Sequence, residues 1–188
     1  RPPPLALSPE QIRLLVYLAA ANGAHGLLFE SDSPLSAQDP DTQQRAMALE
    51  LVNLELNLME TWTCAGTVVT SVDSSVREVR GTLLRSDRAR LVLPMWLGPG
   101  SQFVAGQAAA NHVNLVLPSV PESNSAYELI PGALFPLRHK RTVGGVQVTV
   151  DEFGLATQIL MANDALIIGA LNKQATAIGV RAAGLARE

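Results

Sequence analysis

The first part of the chain places apolar residues at helical spacing. Ile12, Val16 and Ala20 follow a stretch, 8–11, that has the Ser-Pro-Glu-Gln order of a capped helix start. A second helix is predicted from a cap at Asp41 or Thr42 to residue 62, with two apolar stripes. Between the two helices, the short apolar run 26–31 is bounded by turn residues and predicts a buried strand. Helix, strand and helix with short connections are typical of a parallel α/β unit.

The middle of the chain changes to short runs rich in β-branched residues. Val146, Val148 and Val150 alternate with polar residues, which predicts a half-buried strand, and residues 86–88 and 143–146 predict hairpin turns. Closely spaced strands with turn residues between them predict an antiparallel β-sandwich. The predicted strands cover residues 66–72, 77–85, 89–96, 112–118, 126–130, 133–139, 145–150 and 155–162.

The chain becomes helical again after Asp164, which is a suitable N-cap. Ile167, Leu171, Ile178 and Leu185 form one stripe of this last helix. The predicted fold class is therefore α+β. We expect helix, strand and helix in residues 1–63, a β-sandwich in 64–163 and the start of a helical region in 164–188.

Composition excludes several classes of protein. The 188 residues are 47% hydrophobic and 16% charged, which is a globular composition. A net charge of −3 disfavours a nucleic-acid binder, and no apolar run is long enough to predict a membrane span. The chain begins with Arg1 rather than Met, so we expect it to be a piece of a longer protein.

Candidate metal ligands and nucleophiles are sparse. His25, His112 and His139 are not spaced as zinc ligands from one helix, and we expect structural roles for all three. Cys64 is the single cysteine and has no evident base in sequence, so an inert thiol is expected. The sequence predicts neither a metal nor a cofactor.

Three parts of the sequence resemble a known architecture. Residues 9–14 leading to 24–29 resemble the closing βα units of a glycoside-hydrolase-type (β/α)8 barrel. Residues 91–98 with 102–104, and residues 150–155 with the strand after them, resemble the β-sandwich that follows such a barrel in large bacterial proteins, especially those of planctomycetes. The resemblance implies that residues 1–63 are the last part of a barrel and that most of the catalytic barrel lies outside this chain. It also implies export to the periplasm or the extracellular space.

Candidate sugar-contacting residues follow from the same reading. Glu30 and Asp32 would lie at the carboxyl end of the predicted strand, which faces the active site in a barrel. A solvated position is the alternative for both, since no partner acid is identifiable. Trp96 and Tyr127, with Trp62 and Phe103, are the aromatic residues that could stack on a sugar, although apolar neighbours favour burial. No catalytic residue is assigned.

Three functions remain open at this point. The first is a non-catalytic C-terminal portion of a glycoside hydrolase, in which the sandwich braces the barrel. The second is a carbohydrate-binding module, and the third is a protein-interaction domain. The expected partners are the remainder of the parent chain, a second copy of this chain or a carbohydrate.

Overall fold

The computed structural model describes residues 7–30, 34–99 and 107–186. Within these ranges the helices are α1 (Pro9–Ala21), α2 (Pro40–Ala65) and α3 (Ala165–Leu185). The strands are β1 (Thr67–Asp73), β2 (Val79–Arg85), β3 (Arg90–Trp96), β4 (Ala110–Leu117), β5 (Ser125–Ile130), β6 (Ala133–Pro136), β7 (Arg138–Thr142), β8 (Gly145–Phe153) and β9 (Ile159–Ala162). None of the described helices has the length and apolarity needed to cross a bilayer.

The two N-terminal helices start by the same device. The Ser8 hydroxyl accepts a hydrogen bond from the Gln11 amide, and the Gln11 side chain accepts one from the Ser8 amide, which confirms the predicted capping box. At α2 the Asp39 carboxylate accepts from the Thr42 amide at 2.9 Å. The predicted cap at Asp41 or Thr42 is therefore wrong. Proline lacks an amide donor and is preorganised for the first helical position, so the helix starts at Pro40 and the residue before it is the cap.

Nine strands among the described residues form two antiparallel sheets. The larger sheet has the order β1-β2-β3-β9-β5-β6, and the smaller one has the order β4-β8-β7. The predicted hairpins β2–β3 and β7–β8 are present. The predicted strand at 133–139 is two strands, because β6 pairs in the larger sheet and β7 in the smaller one. The predicted strand at 155–162 is shorter and comprises only β9.

The two sheets pack face to face around an apolar core. Val92 and Ile159 of the larger sheet belong to the same buried cluster as Leu115 and Val148 of the smaller sheet. The other face of the larger sheet is covered by the helices, where Trp62, Met59 and Leu171 are buried together with residues of β3 and β9. The molecule therefore has three layers: helices, a six-stranded sheet and a three-stranded sheet. This arrangement confirms an α+β fold with antiparallel sheets and a C-terminal helix.

The predicted strand between the helices is not formed. Residues 26–30 belong to no strand and are exposed, and Leu28 is 97% exposed. Residue 31 lies outside the described residues. A short apolar run cannot reveal whether a neighbouring strand is present to pair with it, and here no described strand pairs with this segment. The apolar side chains of residues 27–29 are therefore exposed, and residues 26–30 belong to neither sheet.

The stripe predicted on the last helix is covered within the chain. Leu171 and Leu185 are buried, and Ile167 and Ile178 pack against the cluster between the helices and the larger sheet. The larger sheet and α2 therefore provide the apolar contacts of this stripe.

Candidate functional site

A buried polar network joins α1 and α2 to the larger sheet. The Arg13 Nε donates to both carboxylate oxygens of Glu55, at 2.9 and 2.8 Å. The Gln158 side-chain amide donates to the Tyr17 hydroxyl and to the Glu55 carbonyl oxygen, both at 3.1 Å. The Glu55 side chain is 7% exposed and that of Arg13 is 27% exposed. The network therefore fixes the angle between the helices and ties both of them to the segment before β9.

Burial and neighbouring groups shift the pKa values of Arg13 and Tyr17 in this network. Burial acts to lower the pKa of Arg13, but the neighbouring Tyr17 and Glu55 outweigh it, and the pKa is raised. Burial raises the pKa of Tyr17, and the Arg13 charge opposes that shift only in part. The guanidinium carbon of Arg13 lies 4.9 Å from the centre of the Tyr17 ring, within the range of a cation–π contact. Near neutral pH Tyr17 is therefore neutral and Arg13 is charged, and we refer to the network of Arg13, Tyr17, Glu55 and Gln158 as the clasp.

An open cavity of about 470 Å³ lies between α2 and the exposed segment that follows α1. His25, Leu27 and Phe29 line one side, and polar residues of α2, including Asn53 and Glu60, line the other. The His25 Nδ1 donates to the Thr63 carbonyl oxygen, which holds the segment against the end of α2. Leu27 and Phe29 are 39% and 45% exposed. The cavity is therefore a groove with one apolar wall open to solvent.

Of the two acidic candidates, Glu30 is the one that the structure describes. Glu30 is exposed and does not line the cavity, and Asp32 lies outside the described residues. Cys64 lines the cavity and is an exposed free thiol. Within the part of the chain that the structure describes, no three histidine, cysteine or acidic side chains form a group that could hold a metal ion.

The aromatic candidates lie in or against the cores. Trp62 is 2% exposed, and its indole N–H donates to the Ala89 carbonyl oxygen. Trp96 and Tyr127 are partly buried, and they pack against the cluster between the sheets and the cluster under the helices, respectively. Phe103 lies outside the described residues. All three described rings therefore pack against residues of a core.

Sequence reasoning missed a polar cluster on the smaller sheet. The Asp151 Oδ1 accepts from the His112 Nδ1 at 3.1 Å and also from Arg138. The hydrogen bond from Arg138 lowers the pKa of Asp151, and His112 adds to the effect. These residues are 39 and 13 positions from Asp151 in sequence, and only the register of the three strands brings them together.

Comparison with known proteins gives a likeness of structure without a likeness of sequence. No family model and no curated protein matches the chain. The crystal structure of the Thermotoga maritima α-fucosidase in complex with fucose is similar with a TM-score of 0.51 at 14% identity. That match covers 83% of this chain and 35% of the fucosidase. A Thermotoga maritima α-L-fucosynthase is similar with a TM-score of 0.50 at 15% identity, over 83% of this chain and 34% of the other.

The likeness establishes a shared fold and no more. The matches cover 83% of this chain and about a third of each of the two other chains. The chain therefore resembles a part of a glycoside hydrolase.

Proposed function

We propose that the chain is the non-catalytic C-terminal portion of a glycoside-hydrolase-related protein, in which the sandwich and its helices brace a catalytic barrel. The observation that carries the proposal is the match to the α-fucosidase over 83% of this chain but only 35% of that enzyme. In such a protein the remaining two thirds would supply the barrel and the chemistry. Fucosides are accordingly the first substrate class to test on the parent protein.

The exposed segment after α1 supports a bracing role. The side chains of Leu27, Leu28 and Phe29 are exposed next to the groove on α2. By contrast, Ala20 and Ala21 at the end of α1 are buried between the helices and the larger sheet. Contiguous exposed apolar residues are typical of a surface that another element covers. Adjacent strands of a barrel would pair with the backbone of this segment and bury its side chains.

The proposal assigns no catalytic acid to this chain. Glycoside hydrolysis uses two carboxyl groups that flank the scissile bond. The sequence suggested Glu30 and Asp32, and Glu30 is solvated outside the groove. Both acids would therefore have to come from the parent protein.

The activity part of the proposal is tested with the chain alone. Aryl glycosides, with an aryl α-L-fucoside among them, should give no release of the aryl group above the rate with buffer. Glu30→Gln should leave that rate unchanged. Release that the wild type supports and Glu30→Gln abolishes would contradict the proposal.

The bracing part is tested with the upstream reading frame. If that frame encodes a barrel, of about 250 residues, the separately produced barrel should bind this chain. Leu28→Ser with Phe29→Ser should weaken that binding. Val143→Ser is the matched control, because Val143 is as exposed as Leu28 but lies in the β7–β8 turn. Equal weakening by the control, or no binding at all, would show that the exposed segment is not the contact with a barrel.

The carbohydrate-binding alternative finds little support in the aromatic residues, since Trp96 and Tyr127 are partly buried. A polar surface on the smaller sheet is a better candidate for such a role.

A further inference from the structure

The outer face of the three-stranded sheet is polar across all three strands. The registers place Asn114, Thr149 and Arg138 in one cross-strand row, and Val116, Gln147 and Lys140 in the next. His112 and Asp151 lie one row further along β4 and β8. The opposite face of the same strands carries Leu115, Val148 and other residues of the core. The smaller sheet therefore has one apolar face toward the larger sheet and one face with hydrogen-bonding groups toward solvent.

The central groups of this face are held in place by one another. The Asn114 side-chain oxygen accepts from Gln147 at 2.9 Å and from Thr149 at 2.7 Å. Asp151 accepts from both His112 and Arg138, so one carboxylate orients two donors. His112 has a φ of 53°, a conformation that residues other than glycine seldom adopt. Side chains oriented in advance lose less conformational entropy on binding a ligand.

The open edge of the sheet beside this face is strongly basic. β7 lies at the end of the strand order, and four of its five residues are Arg138, His139, Lys140 and Arg141, all exposed. Lys140 and Arg141 form no ion pair with a described residue, and Asp151 is the acid that contacts this edge. The positive charge is local, because the whole chain has a net charge of −3.

We propose that this face, with His112, Asn114, Arg138, Lys140, Gln147 and Thr149, binds an anionic glycan, one that carries carboxylate or sulfate groups. Arg138 and Lys140 are the basic residues of β7 that share the face with Asn114, because His139 and Arg141 pair with the inward-facing Val148 and Val146. Lysine and arginine would pair with the anionic groups, while the amides and the Thr149 hydroxyl lie where sugar hydroxyls would reach them. A nucleic acid fits less well, since the described residues of this face include no Trp, Tyr or Phe ring on which a base could stack, and the His112 imidazole is held by Asp151. The proposal goes beyond the bracing role and does not depend on it, because it uses a different face of the molecule.

Affinity gel electrophoresis of the chain tests the proposal with three polymers. Polygalacturonate supplies carboxylates, dextran sulfate supplies sulfates, and neutral dextran is the uncharged reference. We expect retardation by at least one charged polymer and none by neutral dextran, and the stronger of the two identifies the anionic group. Failure of both charged polymers to retard the chain would overturn the proposal.

Charge variants separate this surface from general attraction to a polyanion. Lys140→Gln should weaken binding about threefold to fivefold, as expected for the loss of one exposed ion pair. Arg141→Gln is the matched control, since Arg141 is exposed on the same strand but lies in the row of Val146, on the other side of the sheet. The control should bind as the wild type does. Equal weakening by Lys140→Gln and Arg141→Gln would mean that only net charge matters, and would overturn the proposal.

Asp151→Asn tests whether the surface is built or merely charged. The substitution removes one negative charge from the patch and, with it, the carboxylate that orients Arg138 and His112. We expect weaker binding, whereas tighter binding would overturn the role of the preformed donors.

A single-stranded oligonucleotide of matched charge is the last competitor. If it displaces the glycan at equal concentration, the surface is a general polyanion site and not a glycan site.

Discussion

The six-stranded sheet is covered on one face by the smaller sheet and on the other by the helices, and the two contacts differ in polarity. Between the sheets the buried side chains are apolar, with Val92, Leu115, Val148 and Ile159 at the centre. Under the helices, apolar packing around Trp62 is interrupted by the clasp of Arg13, Glu55, Tyr17 and Gln158. The free energy of an apolar contact depends mainly on the area that it buries and is not directional. A buried polar network also requires one relative orientation of its elements, because its hydrogen bonds are directional.

This difference suggests separate tasks for the two contacts. The sandwich holds together through apolar burial in both sheets. The clasp fixes the two helices relative to the larger sheet, and the segment after α1 is exposed beside α2. A region that must present one surface to a partner benefits from a fixed orientation, which is consistent with the proposed bracing role.

The largest effect is expected from truncating the aromatic anchor of the helical layer. Trp62→Ala should lower the free energy of unfolding by about 3–5 kcal/mol, because it leaves a large cavity under the helices. Leu115→Ala, the counterpart between the sheets, should cost about 2–5 kcal/mol. Hydrogen exchange should then show faster amide exchange in α1 and α2 for Trp62→Ala, with β4 and β8 still protected. A uniform loss of protection in both variants would show that the two contacts unfold as one unit.

The next effect concerns the clasp itself. Glu55→Leu should cost about 3 kcal/mol, since it leaves a largely buried guanidinium without its carboxylate. Arg13→Leu with Glu55→Leu should recover much of that loss, because an apolar pair has no charge to desolvate. Urea unfolding of the two single variants and the double variant gives the coupling energy. Additive losses would mean that the ion pair contributes nothing beyond its packing.

Much of the sandwich was predictable because alternation along a strand reports which side chains are buried. Val146, Val148 and Val150 alternate with polar residues and are indeed buried. The predicted strand at 26–31 is absent from the described residues 26–30. A short apolar run without alternation shows that its side chains favour burial, but it does not show whether a neighbouring strand is present to pair with it.

The candidate surface on the smaller sheet was beyond sequence reasoning. The contact of Asp151 with His112 and Arg138 depends on the register of three strands, which periodicity does not determine. The clasp left a weaker signal, because Glu55 is a charged residue within an apolar stretch of α2. The cap of α2 was also readable, since Asp39-Pro40 repeats the order of Ser8-Pro9 at α1.

The smallest effect tests how closely the last helix packs on the larger sheet. A Cβ added at Gly179 would lie 2.5 Å from the Cα of Gly132. Gly132 lies in the β5–β6 turn with a φ of +112°, a conformation that favours glycine. The Gly132 amide also donates to the Ala175 carbonyl oxygen at 2.8 Å, so neither backbone can retreat without breaking that bond. Gly179→Ala should therefore destabilise the chain by about 1–3 kcal/mol.

Gly169→Ala is the control on the same helix. It has open space around it and should stabilise the chain by about 0.5–1 kcal/mol through higher helix propensity. Thermal unfolding of both variants is the measurement, and a stabilised Gly179→Ala would mean that α3 can move away from the β5–β6 turn at no cost.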